Sequence, residues 1–263
     1  MMNGELLTHR AGANKDILVL TLSNPSLRNA LHPDMYAAGI EIFSSTAHSP
    51  DVRAVVITGA NQFFCAGGNL NRLQTNRQKD PAIQLESIEM LCTWVEAIHS
   101  CPKPVIACVE GVAAGAGLAL ALVCDMVVAA DDARFMAAYV RTALSPDGGV
   151  TWLLRRLLPR ALAFEALMLG EPLTAERLHT LGVINHVTPK GSADAAALAL
   201  AQRFASGPQG TQARIKRQFA SAGELDLSAF LPIERQGFVD SLFSADAGEG
   251  IAAFLDKRAA RFA

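Results

Sequence analysis

The sequence of 263 residues has few aromatic side chains, little net charge and no paired cysteines, and these shortages exclude several classes of protein. It contains two Trp and two Tyr, and its formal net charge is −2. A near-neutral chain lacks the positive charge that drives nucleic-acid binding, which disfavours a nucleic-acid partner. The five cysteines form an odd set with no C-x-x-C spacing. They favour a reduced, cytoplasmic setting over a disulfide framework.

Long apolar runs and groups of metal ligands are also missing. The longest uncharged apolar run lies between Glu110 and Asp125 and is shorter than the ~18 residues that suggest a membrane-spanning helix. The N-terminus carries Glu5 and lacks the apolar run of a signal peptide. No His, Cys and Asp residues have the spacing of metal ligands. We therefore expect a cytoplasmic protein with no membrane partner and no metal.

Apolar residues make up 51% of the chain, and their pattern predicts an α/β protein. Short, continuous apolar runs alternate with segments of helical periodicity, as in a parallel sheet whose faces are both covered. The predicted strands are 17–21, 54–58, 104–109 and 126–130. The predicted helices are 33–47, one that begins at residue 81, and 149–158, 161–169, 174–181, 194–205, 211–222, 227–243 and 246–254. Asp246 and Glu249 have the spacing of a capping box.

The stretch from Gly111 to Asp125 joins a predicted strand to a predicted helix through Gly115-Ala116-Gly117. Small residues at such a turn allow a ligand to approach the backbone closely. The first N–H groups of the helix have no partner within it, so they can bind an anion or a carbonyl oxygen that becomes anionic. The alternative is a helix that uses glycine only for close packing in the core.

Four motifs occur in an order that resembles the enoyl-CoA hydratase/isomerase family, also called the crotonase superfamily. Together they span essentially the whole chain. The motifs are Arg28-Asn29-Ala30-Leu31, the run from Phe64 to Leu70, the segment from Pro102 through Gly111–Gly117 to Asp125, and a terminal pattern from Asp246 through Phe254 to Arg258.

The resemblance implies an α/β fold of the crotonase (ClpP-like) type, a spiral of ββα units with a C-terminal helical trimerisation region. We expect the spiral core with the oxyanion hole in residues 1–190. Residues 191–263 would form the helical region for oligomerisation and contacts with coenzyme A. The implied partners are an acyl-CoA thioester and further copies of the chain, as a homotrimer or a dimer of trimers. No separate cofactor is implied, because coenzyme A is part of the substrate.

The resemblance also assigns residues to the site. The backbone N–H groups of Gly68 and Ala116 match the oxyanion hole that stabilises a thioester enolate. The positions that match substrate and coenzyme A contacts are Arg28, Ala30, Ala66, Asn69, Leu70, Ala114, Tyr139, Pro146, Phe254 and Lys257. The polar residues 72–80 are expected to form a linker beside the acyl pocket.

Acid–base chemistry points to Asp147. The two glutamates of the family's hydratases correspond here to Ala119 and Tyr139, neither of which is a carboxylate. Asp147, in Ser145-Pro146-Asp147-Gly148-Gly149, resembles the single acid/base of the family's ring-epoxyphenylacetyl-CoA isomerases. The alternative for Asp147 is an ordinary turn residue. We predict an acyl-CoA isomerase that acts on a 3-enoyl-CoA or a ring-derived acyl-CoA.

Three other functions remain open at this stage. One is an enoyl-CoA hydratase, and another is a non-catalytic relative that binds acyl-CoA or RNA. The third is an aryl-CoA dehalogenase with Asp147 as the nucleophile. For the dehalogenase, the chain has Tyr139 and Cys92 where those enzymes have a Trp and a His, so we rank that function low.

Overall fold

A six-stranded sheet forms the centre of the protein, with a three-stranded sheet beside it. The computed structural model describes residues 4–262. The large sheet has the strand order β1-β2-β3-β4-β6-β9, and the small sheet has the order β5-β7-β8. The strands are β1 (Glu5–Ala11), β2 (Ile17–Ser23), β3 (Ala54–Gly59), β4 (Val105–Val109), β5 (Val112–Ala114), β6 (Met126–Ala130), β7 (Arg134–Met136), β8 (Leu173–Thr174) and β9 (His186–Thr188).

Eleven α-helices of the described part of the chain surround these sheets. They are α1 (Pro33–His48), α2 (Leu70–Asn76), α3 (Pro81–Ser100), α4 (Ala116–Leu122), α5 (Val150–Leu157), α6 (Arg160–Leu169), α7 (Ala175–Thr180), α8 (Ala193–Ala205), α9 (Gln209–Ala222), α10 (Leu227–Leu242) and α11 (Ala245–Leu255). The predicted α/β class is confirmed. The predicted helices and buried strands are present, with ends that differ by one or two residues.

Both faces of the large sheet are covered because successive side chains of a strand point to opposite faces. On β3, Ala54 and Val56 pack with α8, in a cluster that includes Ile106 of β4. Their neighbours Val55 and Ile57 belong to the larger cluster on the other face, which α1 and α3 cover. The continuous apolar runs of the sequence therefore mark strands buried on both sides.

The chain passes from the large sheet to the small one and then into a helix. β4 pairs in parallel with β3 and β6, and the chain turns at Gly111 into β5, which pairs with β7. Helix α4 then packs against β4 and β5. This β4–β5–α4 unit places the start of α4 at the junction between the sheets.

Several short elements were not predicted. β1 pairs antiparallel with β2 at the sheet edge, and most of its side chains are exposed, so it has no apolar run. β5, β7 and β8 have two or three residues each, too few to show a periodicity. The expected linker at 72–80 is wrong in its first half, because residues 70–76 form α2. Polar residues dominate that helix, and it gives no amphipathic signal.

The expected capping box at Asp246 and Glu249 is also wrong. Ser244 caps α11, and its Oγ accepts a hydrogen bond from the backbone N–H of Ala247. Glu249 instead forms a bidentate ion pair with Arg258. The cap therefore lies two residues earlier than the spacing suggested.

The C-terminal helices form a layer, and two ion pairs join it to the rest of the described chain: Lys216 with Asp125, and Arg156 of α5 with Glu224. Lys216 on α9 donates to Asp125 Oδ2 at 2.7 Å, and the same oxygen accepts a hydrogen bond from the N–H of Val105 at 2.7 Å. Helix α10 packs on α9, and α11 packs on α10. Helix α8, in contrast, lies on the large sheet. The division of the chain at residue 190 stays a prediction.

Candidate active site

Two backbone segments lie side by side at the junction of the sheets. The segment that follows β3 is held between Leu31 and β5 by backbone hydrogen bonds. Leu31 N donates to Gly67 O at 2.8 Å, and Ala114 N donates to Cys65 O at 2.9 Å. Cys65 and Ala113 form an isolated parallel bridge. The chain from Cys65 to Gly68 is therefore aligned alongside β5 and the start of α4.

Glycine is required where these segments touch. Gly67 has a φ of 88°, and a Cβ placed on it would lie 2.6 Å from Ala114 O and 3.4 Å from Ala116 N. A Cβ on Gly117 would lie 2.7 Å from both the Cβ and the carbonyl oxygen of Cys65. A side chain at either position would force the segments apart. The sequence left two alternatives for 115–117, a helix start that binds a ligand or glycine for close packing. The structure is compatible with both, since Gly117 packs closely against Cys65 and Ala116 is the first residue of the helix.

The N–H groups of Gly68 and Ala116 are available to a ligand. Neither donates a hydrogen bond to any other group within residues 4–262. Ala116 is the first residue of α4, where helix N–H groups have no partner inside the helix. The contact with Gly67 places the two N–H groups on adjoining segments. Such a pair can stabilise a developing negative charge on an oxygen atom.

Asp147 lies against this turn and is held by Tyr139. The Tyr139 hydroxyl donates to Asp147 Oδ1 at 2.7 Å. A Cβ on Gly115 would lie 3.9 Å from the same hydroxyl oxygen, so Tyr139 connects the carboxyl group to the start of α4. The next residue, Gly148, faces α4 and α3, since its Cβ would lie 3.2 Å from Ala119 Cβ.

Burial controls the protonation of this pair. Burial raises the pKa of Asp147, and the hydrogen bond from Tyr139 opposes that rise. Burial and the nearby Asp147 charge together raise the pKa of Tyr139 far above its usual range. The phenol therefore keeps its proton and donates it in a hydrogen bond, while the carboxyl group is the member of the pair that can exchange a proton.

Two further side chains, those of Tyr36 and Arg72, lie near Asp147 and have no role in the sequence analysis. Tyr36 of α1 is buried against Trp94, with ring centroids 6.3 Å apart, and the charge of Asp147 contributes to its pKa. Arg72 of α2 donates through Nη2 to Ser87 Oγ of α3 at 3.1 Å. In the sequence, the one indication that Tyr36 lies in the interior is its position on the apolar face of α1.

The other predicted contact residues of the core surround the two segments. Ala66 N donates to Arg28 O at 3.0 Å, and the Arg28 guanidinium lies 6.0 Å from the centre of the Phe63 ring. Ala30 is buried, whereas Leu70 is exposed. The remaining predicted contacts of this group are Ala114 on β5, Pro146 beside Asp147, and Asn69, whose Oδ1 accepts from Arg72 N and caps α2.

Phe254 and Lys257 lie near the C-terminus, in the layer of C-terminal helices, and are far from these segments in sequence. Phe254 is 83% exposed, and Lys257 follows the last turn of α11. Helix α11 packs on α10. Their contact with coenzyme A, expected in part from a neighbouring subunit, stays a prediction.

Two further properties bear on the chemistry. Between residues 4 and 262, no three His, Cys, Asp or Glu side chains are grouped as a metal ion would need. No helix within the same limits has the length and hydropathy of a membrane span. The site offers backbone N–H groups and the Tyr139 hydroxyl as donors, and the Asp147 carboxyl as an acceptor.

Comparison with known proteins identifies the family to which the chain belongs. The sequence profile of the enoyl-CoA hydratase/isomerase family matches residues 12–263. The chain is 36% identical to the 1,2-epoxyphenylacetyl-CoA isomerase of Escherichia coli, over 98% of this chain and 97% of that protein. It is also 36% identical to the 2,3-dehydroadipyl-CoA hydratase of the same organism, over 94% of both.

A solved structure of an enoyl-CoA hydratase from a Polaromonas species superposes with a TM-score of 0.95 and 49% identity, covering 98% of this chain and 99% of that one. The fold and these comparisons therefore define a crotonase-fold protein of a family that acts on acyl-CoA thioesters. The chain belongs to the enoyl-CoA hydratase/isomerase family. The predicted spiral and its helical C-terminal region are confirmed; trimerisation stays a prediction.

Proposed function

We propose that this protein is an acyl-CoA isomerase in which Asp147 is the single acid/base. The observation that carries the proposal is the carboxyl group of Asp147, held by Tyr139 next to the start of α4. The substrate is a 3-enoyl-CoA or a ring-derived acyl-CoA. It needs no cofactor, because coenzyme A is part of the substrate.

The thioester carbonyl oxygen binds to the N–H groups of Gly68 and Ala116. Removal of a proton from the adjacent carbon moves negative charge onto that oxygen, and the two donors stabilise the enolate. One such donor is worth roughly 3 kcal/mol in the transition state. The close approach of Gly67 to Ala116 supports this role because it brings the two donors onto adjoining segments.

Asp147 takes the proton and returns it to another carbon. For a 3-enoyl thioester, the carboxylate removes a proton from C2 and delivers it to C4, so the double bond moves from C3–C4 to C2–C3. One carboxyl group suffices because the proton that is removed is the proton that is returned. Burial supports this step, since a raised pKa helps Asp147 to hold the proton while the enolate exists.

Hydration requires acid–base groups that the described site lacks at two positions. A hydratase must activate a water molecule and protonate carbon, and in this family two glutamates do so. The corresponding positions are Ala119, which is fully buried and apolar, and Tyr139, whose hydroxyl is engaged by Asp147. The relatives include both hydratases and an isomerase, and these two positions favour the isomerase.

The test is the conversion of 3-hexenoyl-CoA to the conjugated 2-hexenoyl-CoA, followed by ultraviolet absorbance. The wild type should turn over, and Asp147→Asn should lose the activity. Asp131→Asn is the matched control, because Asp131 is an exposed aspartate on another loop. A second assay supplies 2-hexenoyl-CoA and follows the loss of conjugation on hydration. Unchanged isomerisation in Asp147→Asn, or hydration without isomerisation, would overturn the proposal.

We also propose that the chain assembles as a trimer or a dimer of trimers through its C-terminal helices. Large apolar side chains are exposed on this layer: Phe219, Leu227, Phe238, Phe243, Phe254 and Leu255. Apolar surface of this extent suggests a partner, and a second copy of the chain is the simplest one. Light scattering of the purified protein should give the mass of a trimer or hexamer, and a clean monomer would refute the assembly.

We propose that the protein is cytoplasmic. The five cysteines are all free, and Cys65, Cys101, Cys108 and Cys124 are buried. Burial raises the pKa of Cys65 to about 12, so this thiol stays protonated and unreactive. Free thiols as core residues fit a reducing compartment. Fractionation of the native host with detection of the protein would check the location.

A further inference from the structure

We propose that Asn29 is a positioning residue that orients the Gly68 N–H of the oxyanion hole. Its side chain is 1% exposed, so it acts through the backbone that it holds and not by contact with a substrate. In the family resemblance, its neighbours Arg28 and Ala30 match coenzyme A contacts, and Asn29 itself has no assigned role. The inference rests on the proposed function for one point only, the role of Gly68 as an oxyanion donor.

The direction of the Gly68 N–H is set by the peptide bond that joins Gly68 to Gly67. That peptide is planar and trans, so its N–H and its C=O point in opposite directions. The carbonyl end accepts a hydrogen bond from Leu31 N at 2.8 Å. Because this bond fixes the plane of the peptide, the Gly68 N–H points away from Leu31. The position of Leu31 therefore controls the direction of the donor.

The loop of residues 28–31 is also bonded to the oxyanion segment, residues 65–68, through a thiol. Cys65 Sγ donates to Asn29 O at 3.1 Å, and the same sulfur accepts from Gly67 N at 3.3 Å. Burial raises the pKa of this thiol to about 12, so it keeps the proton that it donates. On the other side, Ala114 N of β5 donates to Cys65 O at 2.9 Å. The oxyanion segment is thus held between this loop and β5.

The amide of Asn29 holds that loop in place. Nδ2 donates to Ala60 O at 2.9 Å and to Phe63 O, and Oδ1 accepts from Asn24 N at 3.0 Å. An asparagine has two side-chain N–H donors, and both are used on the turn between β3 and the oxyanion segment. A buried amide with its donors paired makes the groups around it rigid. Asn29 therefore ties the loop of residues 28–31 to the chain that enters the oxyanion segment.

The backbone of the loop also favours asparagine. Arg28 and Asn29 have φ values of 52° and 55°, and asparagine is among the few residues that adopt this left-handed region readily. Asn29 N donates to Asn24 O at 2.9 Å, which closes the loop. Glycine at position 29 would keep this conformation and lose only the side chain. Asn29→Gly is therefore the substitution that removes the amide without adding backbone strain.

The experiment measures the carbonyl group of a bound ligand that cannot isomerise. Hexanoyl-CoA is saturated, and with carbon-13 at its thioester carbon, infrared difference spectra report the C=O stretching frequency. Donors that polarise the carbonyl lower this frequency, so it should be lower on the wild type than in solution. Asn29→Gly should lose about half of that shift, because one of the two donors is misaligned. Its kcat for 3-hexenoyl-CoA should fall about a hundredfold, the scale of a small misplacement of a catalytic group.

Asn185→Gly is the matched control, because it removes the same side chain from a backbone contact elsewhere in the sheet. Asn185 Oδ1 accepts from Val127 N at 2.8 Å, where β6 and β9 begin. This variant should keep the wild-type carbonyl frequency and kcat. Urea unfolding measures the stability that each variant loses. Lost stability in Asn29→Gly with an unchanged carbonyl frequency would show a purely structural role and would overturn the proposal.

If Asn29→Gly does not fold, as judged by circular dichroism, Asn29→Asp decides the same question. Aspartate keeps the shape and the Oδ1 acceptor and carries at most one donor hydrogen, so part of the shift should be lost. The wild-type frequency in folded Asn29→Asp would then count against the positioning role. A carbonyl group that vibrates on the wild type as it does in solution would also overturn it.

Failure of the two proposals can be told apart. The ligand is saturated, so its spectrum does not depend on Asp147 chemistry. A carbonyl shift that depends on Asn29, in a protein without isomerase activity, would support the positioning role and reject the isomerase. Isomerase activity in a protein whose carbonyl shift survives in Asn29→Gly would do the reverse.

Discussion

The Tyr139 hydroxyl donates a hydrogen bond of 2.7 Å to Asp147 Oδ1. Tyr139 occupies a position where hydratases of the family carry a glutamate, and here its hydroxyl orients a carboxylate that comes from a later loop. In the proposed reaction, Tyr139 and Asp147 together take the place of that glutamate: Tyr139 keeps its proton, and Asp147 exchanges one. Four predictions follow from this pair and from the segments around it.

Removal of the Tyr139 hydroxyl should shift the pH dependence of isomerisation. The hydrogen bond lowers the pKa of Asp147 against the effect of burial, so Tyr139→Phe should raise that pKa further. Because Asp147 must be ionised to take the first proton, the rising limb of kcat against pH should move to higher pH. At neutral pH the rate should fall about tenfold, the scale of a lost hydrogen bond to a charged group. A profile identical to that of the wild type would contradict the role of Tyr139.

Asp147→Asn should make the protein more stable at neutral pH while it removes activity. Since the pKa of Asp147 is raised in the folded state, its contribution to stability is complete below the unfolded pKa and is lost as pH rises through the folded pKa. The variant has no such charge to bury, so its advantage should appear above that pKa and vanish in acid. Urea unfolding at several pH values measures it. A variant less stable at neutral pH than in acid, relative to wild type, would refute the sign.

Gly67→Ala should damage both folding and catalysis. The new Cβ would lie 2.6 Å from Ala114 O, at a φ of 88°. Gly182→Ala is the control, since Gly182 has a φ of 75° with no atom within 4 Å of the new Cβ. The control should lose about 1 kcal/mol from backbone strain alone and keep its kcat. Gly67→Ala should lose more than that and should also lower kcat. Equal effects of the two substitutions would exclude a clash at the oxyanion segment.

Lys216→Met should loosen the C-terminal layer. Lys216 and Asp125 form a half-buried ion pair at 2.7 Å, and the substitution leaves the Asp125 carboxylate without its cation. We expect a loss of about 2 kcal/mol in the free energy of unfolding, the scale of a hydrogen bond between charged groups.

The control for this ion pair is Lys190→Met, which removes an exposed pair of similar length. Lys190 lies 2.8 Å from Asp132, and both side chains are exposed. Exposed ion pairs contribute little, so the stability should barely change. Urea unfolding of both variants makes the comparison, and hydrogen exchange on α9 should rise in Lys216→Met only. Equal stability of the two variants would show that the α9 contact is not structural.

Local patterns predicted the architecture well where the signal was contained in one segment. The run from Ile17 to Thr21 and the run from Ala54 to Thr58 are buried strands, and Trp94 is fully buried as expected. The short strands β5 and β7 and the polar helix α2 were missed because three to seven residues carry no periodicity. The four ordered motifs predicted the family, which the comparisons confirm.

The candidate site was predicted as a set of positions and not as an arrangement. Gly68, Ala116 and Asp147 were named from the resemblance, and their catalytic roles stay predictions. The contact between Gly67 and Ala116, and that between Gly148 and Ala119, depends on how two loops meet. Arg72 was read as part of a linker, because its partner Ser87 is on another helix. No local pattern marks such a contact.

The sequence by itself determined the alternation of buried strands and helices, the turn at 115–117 and the family to which the chain belongs. Hydrophobic periodicity and glycine conformation act over a few residues, so they can be read in order along the chain. The tertiary structure decided which polar groups meet. Lys216 reaches Asp125 across 91 residues. The Tyr139 hydroxyl meets Asp147 because the 3-10 turn from Ala138 to Thr142 ends at Ala143, whose left-handed conformation (φ 55°) changes the direction of the chain. Burial then raises the pKa of Asp125, Tyr139 and Asp147, and burial belongs to the folded chain alone.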